Sequence, residues 1–365
     1  MTLHFYFARK FLMIFVAIMI IFFAILVLAD LAEQVRRYPS DIVDFSQAIG
    51  LTLLNVPTLL YRIMPLMIII ATLTLFLNLA RTSELVVTRA SGRSALKSLT
   101  APVAMALLIG ALALAFFNPM VAATSKQYET LQYRYANGTE SILSISAEGL
   151  WLRQGNRTSQ TVIRASRANL DGTRLFDVTF IAFAPGKGPT TRVDAKTAEL
   201  MPGEWVLSEA KKWDIAGSKN PERDAVQADR MAIPTDLTRA QIRDSFGTPS
   251  IIPIWELPGF IKTLETAGFS ARQHRMWFQM ELALPLFLVA MVLIGAAFTL
   301  RHTRFGNTGV MVLIALMTGF GLYFVRNFAQ VLGENGQIPI ILAAWTPPVA
   351  AIGLALGLLL HLEDG

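Results

Sequence analysis

The chain contains six apolar stretches, each of about the length that crosses a bilayer as a helix. An α-helix rises about 1.5 Å per residue, so roughly 20 apolar residues cross a hydrocarbon core about 30 Å thick. The stretches are residues 11–29, 51–80, 99–117, 276–300, 309–325 and 338–360. With 53% hydrophobic and 16% charged residues in 365, the composition is too apolar for a soluble domain of this length. The sequence predicts an α-helical membrane protein with six transmembrane helices.

The six stretches fall into two groups of three, separated by a polar segment long enough to form its own core. We therefore predict three domains. They are transmembrane helices 1–3 in residues 1–123, an inserted domain in residues 124–273, and transmembrane helices 4–6 in residues 274–365.

The inserted segment has the pattern of a β domain. Its short, partly alternating apolar runs are residues 148–153, 161–166, 175–183, 191–196 and 204–209. Glycine and proline turns separate these runs, which is typical of hairpins in a sandwich or open barrel. Beyond residue 221 the pattern weakens, and two stretches resemble short helical or irregular pieces, residues 237–245 and 256–267. We expect an antiparallel, all-β domain with an apolar interior.

Basic residues in short loops indicate the orientation, because such loops are retained in the cytoplasm. If both termini are cytoplasmic, most of the basic residues near the helix ends lie on the cytoplasmic side. They are Arg9, Lys10, Arg81, Arg89, Arg93, Lys97, Arg301 and Arg304. The other side receives the minority, Arg36, Arg37 and Arg326. This predicts a β domain outside the cytoplasm, which is the periplasm in a Gram-negative cell. The net charge of +6 is accounted for by the inner loops and gives no case for nucleic acid.

The connector between the second and third apolar stretches, about residues 81–97, is amphipathic, basic and too polar to cross a bilayer. Ser83 suits the start of a helix, and Glu84 suits the first turn, where the helix dipole favours negative charge. One face would project Leu85, Val86 and Arg89. We interpret the connector as a cytoplasmic coupling helix that receives the stroke of a separate motor; the alternative is an ordinary basic loop.

Arg36 and Arg37 lie at the outer end of the first apolar stretch, against the charge rule. Guanidinium groups bind phosphate oxygens in bidentate fashion, so a lipid with phosphates near this surface would account for the pair. The alternative is snorkelling of long basic side chains to the headgroups.

Arg62 lies inside the second stretch, where burying a lone cation costs about 3 kcal/mol or more. It is expected to face a cavity or a partner, and we include it among the candidate contacts for lipid phosphates. Glu281, Arg326 and Glu33 are candidate gate or intramembrane polar residues. The alternative for all of them is ion pairing that only fixes helix packing.

The sequence carries no recognisable catalytic motif. The nearest phosphate-loop fragment surrounds Lys187, but Ile181 stands where the motif needs glycine. There is no cysteine and no His-Glu-x-x-His pattern, so no metal site is predicted. We expect a protein that is not an enzyme and binds no cofactor, with ATP hydrolysis supplied from elsewhere.

Several segments together resemble a known family. They are residues 52–57, Pro65, residues 81–92, residues 255–257, residues 277–285, Gly306 with Gly309, and residues 338–347. This set is similar to the lipopolysaccharide export permeases, the LptF/LptG family, and the connector resembles the LptG branch more closely.

The resemblance implies a function and a set of partners. The chain would be the permease of an ABC-type exporter that extracts lipopolysaccharide from the outer leaflet of the inner membrane. It would pair with a homologous F-type permease and bind a cytoplasmic ATPase dimer that uses ATP and Mg. Its β domain would be a jelly roll that passes lipid to a single-span periplasmic bridge protein and a soluble β-bridge protein.

The resemblance also implies contacts for the phosphates of lipid A. The family's basic pair maps onto Arg36 and Arg37, and another basic position maps onto Lys126. The competing interpretation of the whole chain is a non-transporting envelope scaffold, or a sensor with a ligand-binding β domain.

Overall fold

The computed structural model describes residues 2–38, 43–84, 95–137, 143–146, 149–155, 160–169, 173–184, 188–235, 237–238, 248–266, 270–299 and 308–364. The chain divides into two compact units. The helical unit comprises Met1–Tyr135, Ser250–Trp255 and Arg275–Gly365, and the sheet unit comprises Ala136–Pro249 and Glu256–His274. The six residues Ser250–Trp255 therefore group with the helices, although they lie inside the predicted β domain.

The helices follow the apolar pattern of the sequence. They are α1 (Thr2–Arg37), α2 (Phe45–Arg81), α3 (Ala95–Leu112), α4 (Asn118–Asn137), α5 (Leu257–Thr266), α6 (Arg272–Leu282), α7 (Leu284–Thr299), α8 (Thr308–Glu334) and α9 (Ile340–Asp364). A π-helical turn, Ala113–Phe117, joins α3 to α4. Helix α5 occupies one of the two stretches predicted to be short helical or irregular pieces, residues 256–267. The other predicted piece, residues 237–245, falls mostly outside the described residues.

Within the described residues, five helices are long and apolar enough to cross a membrane. They are Leu3–Arg37, Phe45–Arg81, Lys97–Gln132, Gly309–Glu334 and Ile340–His361. Helices α6 and α7 pass the same test only as a pair, and they are bent by 48° at their junction. A helical membrane protein is thus supported, and the count reaches six only if the bent pair forms one broken span.

The bend between α6 and α7 replaces the continuous helix predicted over residues 276–300. Pro285 has no backbone N–H to donate to the carbonyl of Glu281, four residues earlier, and proline is well placed in the first turn of a new helix. The junction lies at Ala283, where α6 has ended and α7 has not begun. The apolar pattern of the sequence does not indicate this break.

Helices α2 and α7 form the centre of the helical unit. Most of α7 is buried on every side, from Leu284 to Thr299. Small residues permit close approach: a Cβ added to Gly295 would lie 3.1 Å from Thr72, and one added to Gly110 would lie 2.6 Å from the backbone of Pro285. In contrast, only 11% of the most apolar window of α1, and the same share of α8, is buried. Those two helices present apolar surface away from this chain's own core.

The sheet unit contains, within its described part, one antiparallel sheet in the order β1 to β7. The strands are β1 (Leu143–Ser146), β2 (Gly149–Gly155), β3 (Gln160–Ala168), β4 (Arg174–Ala184), β5 (Gly188–Met201), β6 (Glu204–Asp214) and β7 (Val226–Pro234). All five predicted strands are present, and β1 and β7 are additional. Strand β7 has no fully buried residue, and its inward positions, Ala228, Met231 and Ile233, lie opposite the buried residues of β6 but are only partly covered.

Side-chain alternation in the sheet shifts along one line that crosses strands β3 to β7. Ladder pairing is interrupted at the same level in these five strands, where Ser166, Asp177, Lys196, Glu209 and Asp229 lie opposite one another. Asp177 and Glu209 both adopt φ 50°, which is unusual for residues with a side chain. One extra residue per strand at a common level preserves the register and bends the sheet.

The sheet curls so that strand β2 contacts β6 and the end of β7, although they are not neighbours in the strand order. Gln154 of β2 accepts hydrogen bonds from Trp205 Nε1 of β6 at 3.3 Å and from Thr235 Oγ1 at 2.6 Å. The Gln154 amide also donates to the carbonyl of Pro234, at the end of β7, at 3.3 Å. Trp205 is fully buried and meets Phe180 edge to face. The apolar face is thus turned inward.

An antiparallel β domain is therefore confirmed, but its jelly-roll form is not. A jelly roll pairs strands that are distant in sequence. Every pairing among the described strands joins consecutive strands.

Candidate functional site

Glu84, at the start of the predicted coupling helix, is held by three side chains. Lys10 Nζ and Tyr6 Oη each lie 3.0 Å from its carboxylate, and Thr82 Oγ1 lies at 2.9 Å. Burial raises the pKa of Glu84, but the hydrogen bonds from Lys10, Thr82 and Tyr6 outweigh burial and lower its pKa below the usual value. The carboxylate stays ionised and ties the first turns of α1 to the end of α2.

The remainder of the predicted coupling surface is only partly described. Ser83 has φ 59°, and its backbone N–H donates to the carbonyl of Ala80 at 3.2 Å. Leu85, Val86 and Arg89 lie outside the described residues. The proposed roles of these four residues stay predictions.

Glu33 pairs with both arginines at the opposite end of α1. Its carboxylate lies 2.6 Å from Arg36 and 3.6 Å from Arg37, one turn along the helix. The Arg36 side chain is 79% exposed and that of Arg37 is 45% exposed. Exposed ion pairs of this kind contribute little to stability. Both guanidinium groups are therefore available to a stronger anionic ligand.

Asp30, one turn before Glu33, is held by amides and not by a basic residue. Asn55 Nδ2 donates to its carboxylate at 2.8 Å, and Gln34 Nε2 donates at 3.3 Å. Gln34 also donates to Tyr128 Oη at 3.0 Å, which links α1 to α4. Lys126, the third predicted phosphate contact, is exposed on α4, and nothing brings it to Arg36 or Arg37 in the described contacts.

Glu281 is at the centre of a buried polar cluster. It is 2% exposed, and its carboxylate accepts hydrogen bonds from Tyr61 Oη and from Asn118 Nδ2, the latter at 3.1 Å. Tyr61 is 8% exposed and Asn118 is 5% exposed. The cluster joins α2, α4 and α6 through polar contacts in a largely apolar core.

The two remaining intramembrane cations have different surroundings. The Arg326 guanidinium lies 5.0 Å from the centre of the Phe287 ring, a cation–π contact. Arg62 directly follows Tyr61 but is exposed on α2. An exposed cation within a membrane span requires water, a headgroup or a partner for its charge.

A cavity of about 680 Å³ lies between α7, α8 and α9. Its lining is almost entirely apolar and includes Phe298, Leu322, Leu342 and Leu354. Such a space accommodates hydrocarbon and offers no group for acid–base chemistry. Among the described residues, no group of three or more His, Asp or Glu side chains is placed to hold a metal ion.

Sequence reasoning missed the partners of Glu281. Tyr61 lies within an apolar stretch, and Asn118 directly follows the stretch predicted to end at residue 117. Polar residues in such positions are costly unless paired, so both were candidates for contact with the buried glutamate. Helix packing brings Tyr61 and Asn118 to Glu281, and the apolar pattern of the sequence does not specify that packing.

Comparison with known proteins gives one family match. Residues 5–361 match the family described as lipopolysaccharide export system permease LptF/LptG. The match covers both groups of membrane helices and the sheet unit between them.

Individual relatives agree with that match. The chain is 25% identical to the lipopolysaccharide export system permease protein LptG of Escherichia coli K12 over 353 residues, which cover 95% of this chain and 96% of that protein. It is 23% identical to the protein of the same name from Haemophilus influenzae over 347 residues, covering 91% of this chain and 90% of that protein.

Proposed function

The chain belongs to the lipopolysaccharide export permease family LptF/LptG, and we propose that it is the permease subunit of an ATP-driven exporter of lipopolysaccharide. In this proposal it draws lipopolysaccharide from the outer leaflet of the inner membrane and passes it to a periplasmic β-bridge. The observation that carries the proposal is the family match over residues 5–361, since it includes the membrane helices and the sheet unit together.

The proposed placement is a multi-pass protein of the bacterial inner membrane with both termini in the cytoplasm. Helices α6 and α7 together form the fourth of six spans, and the sheet unit lies in the periplasm. The distribution of basic residues among the short loops supports this orientation.

The connector after α2 is the proposed contact for a cytoplasmic ATPase dimer, which would bind ATP and Mg. The network around Glu84 supports this role because it fixes the base of the connector against α1 through Lys10 and Tyr6. A displacement of the connector would then move the N-terminal turns of α1 as well. Leu85, Val86 and Arg89 would complete the contact surface.

The proposed site for lipid phosphates is formed by Arg36 and Arg37, with Lys126 and Arg62 as further cations. The exposure of the two arginines supports this role, since phosphate can replace Glu33 as their partner. Glu33 would then act as the counter-ion that occupies the arginines between substrates. Glu281 and Arg326 would act as buried polar residues that set helix positions near the gate.

The proposed protein partners fit two kinds of surface. The outward apolar faces of α1 and α8 would contact membrane lipid and the homologous F-type permease. The outer strands of the sheet, β1 and β7, would offer unpaired backbone groups to the single-span and soluble bridge proteins by strand addition.

Purification of the tagged full chain from its native membrane in mild detergent tests the proposal. Mass spectrometry of the purified material identifies proteins and lipids together. We expect an ATPase, a second homologous permease and lipopolysaccharide in the same complex. A folded chain that carries neither ATPase nor glycolipid would contradict the proposal and favour the envelope scaffold or sensor.

A further inference from the structure

Ser250–Trp255 is a six-residue segment that belongs with the helices while its neighbours on both sides belong with the sheet unit. The preceding residues lead from β7, and the following residues form α5. We call this segment the tether. The polypeptide thus leaves the sheet unit, contacts the helical unit for six residues, and returns.

The first contact of the tether is a buried backbone hydrogen bond. The N–H of Ile254 donates to Asn118 Oδ1 at 3.0 Å, and Ile254 is 2% exposed. Asn118 uses the other end of the same amide to donate to Glu281. One side chain therefore connects the tether to the buried cluster formed with Tyr61 on α2.

The second contact of the tether is with Ala115, three residues before Asn118. Trp255 Nε1 donates to the carbonyl of Ala115 at 3.3 Å. Ala115 is in the π-helical turn Ala113–Phe117, where the hydrogen bonding of the α-helix is interrupted. The Trp255 side chain is otherwise largely exposed, at 65%, so this bond and not ring burial accounts for its position.

We propose that the tether is a mechanical link between the membrane helices and the sheet unit during transport, in addition to the direct chain connections within α4 and α6. A displacement of the helix formed by α3 and α4 acts directly on Ile254 and Trp255, and the polypeptide continues from both ends of the tether into the sheet unit. The π-helical turn marks a place where this helix changes its hydrogen bonding, as such turns often do at functional sites. Asn118 and Trp255 are then positioning residues that couple lipid extraction to lipid delivery. This inference rests on the proposed export function.

Two substitutions weaken the tether without adding charge. Trp255→Phe removes the indole N–H and keeps an aromatic ring. Ile254→Pro removes the backbone donor to Asn118, next to Pro253. Trp213→Phe is a matched control, because Trp213 also donates its indole N–H, to Glu222 at 2.7 Å within the sheet unit, away from the tether.

The measurement is lipopolysaccharide delivered per ATP hydrolysed by the full complex in proteoliposomes, with the soluble bridge protein as acceptor. Melting temperature is recorded for each variant. We expect the combined Ile254→Pro, Trp255→Phe variant to keep its ATPase rate while delivery per ATP falls about three- to tenfold, the range of one or two lost hydrogen bonds. Trp255→Phe alone is expected to show part of this fall, and Trp213→Phe none.

Two outcomes would overturn the inference. One is delivery per ATP equal to wild type in both tether variants. The other is a loss of delivery that follows a fall in melting temperature and in ATPase rate together, which would make the tether only a structural anchor. Failure of the export function itself is distinguishable, since the wild-type complex would then deliver no lipopolysaccharide.

Discussion

Two glutamates of the helical unit differ sharply in how they are held. Glu33 faces Arg36 and Arg37 on an exposed helix end, where the Arg36 side chain is 79% exposed. Glu281 is 2% exposed and is fixed by Tyr61 and Asn118 on two other helices. The first arrangement can exchange partners with a ligand at small cost, and the second cannot without leaving buried polar groups unpaired. This difference favours the exposed end for the proposed ligand contacts and a positioning role for Glu281.

The largest expected effect is on stability, at the buried glutamate. Glu281→Ala leaves Tyr61 and Asn118 without their shared acceptor, and we expect it to destabilise the helical unit by about 2 kcal/mol. Glu281→Gln keeps one acceptor oxygen and is expected to lose less. Unfolding of both variants in detergent, compared with wild type, measures the difference. Equal stability of Glu281→Ala and wild type would remove the distinction between the two glutamates.

The next effect is on lipid binding, at the exposed arginines. Arg36→Glu reverses the charge at the proposed phosphate site, and we expect about tenfold less lipopolysaccharide to be retained after purification, with stability unchanged. Arg223→Glu is the matched control, since Arg223 is similarly exposed, at 78%, but lies in the sheet unit beside Asp224. Equal retention by wild type and Arg36→Glu, or equal loss in the control, would refute the phosphate site.

Glu84 lies between these extremes, with 32% of its side chain exposed. Glu84→Ala releases the base of the connector from Lys10, Tyr6 and Thr82. We expect the ATPase to co-purify about three- to tenfold less well, with membrane insertion unchanged. Glu33→Ala serves as the control, because it also removes an ion-paired carboxylate from the helical unit, at the other end of α1. Undiminished ATPase association in Glu84→Ala would count against the connector as a coupling element.

The smallest expected effect is the pH response of an exposed carboxylate in the sheet unit, Glu222. Hydrogen bonds from Lys211 and Trp213 hold the pKa of Glu222 below its usual value. A carboxyl with a lowered pKa in the folded state stabilises above its unfolded pKa, near 4.5, and loses this contribution as pH falls through its folded pKa.

Titration of Trp213 fluorescence from about pH 6 to about pH 3 checks this pH response. We expect a small acid-dependent change in wild type that is absent in Glu222→Gln. The same titration in both proteins would show that Glu222 does not interact with Trp213 in solution.

The features that sequence predicted well are those that depend on local composition. Apolar length predicted the long helices, and alternation located five strands, although β5 and β6 each extend five residues beyond the predicted end. The bend in the sheet was missed, although its signal is present. Inward residues are spaced by three instead of two at one point in several successive strands, for example from Leu175 to Val178 and from Leu207 to Ala210.

The features that sequence did not predict depend on packing between distant segments. The inward residues of strand β7, Ala228, Met231 and Ile233, are only partly buried, and the break before Pro285 is hidden inside a continuous apolar run. Asn118 lies at the edge of an apolar stretch, but nothing in the sequence indicates that it contacts Ile254, 136 positions away. The pairing of Glu33 with Arg36 could have been predicted from the sequence, since residues three apart on a helix are neighbours.

The most direct test of the central claim is ATP-dependent transfer of lipopolysaccharide from proteoliposomes. The purified chain is reconstituted with the ATPase and the second permease that are expected to co-purify with it, and the soluble bridge protein is added outside as acceptor. The account predicts that lipopolysaccharide reaches the acceptor only when ATP is present and that Arg36→Glu lowers this transfer. Transfer that is equal with and without ATP, or absent in a complex that hydrolyses ATP and retains its fold, would contradict the account.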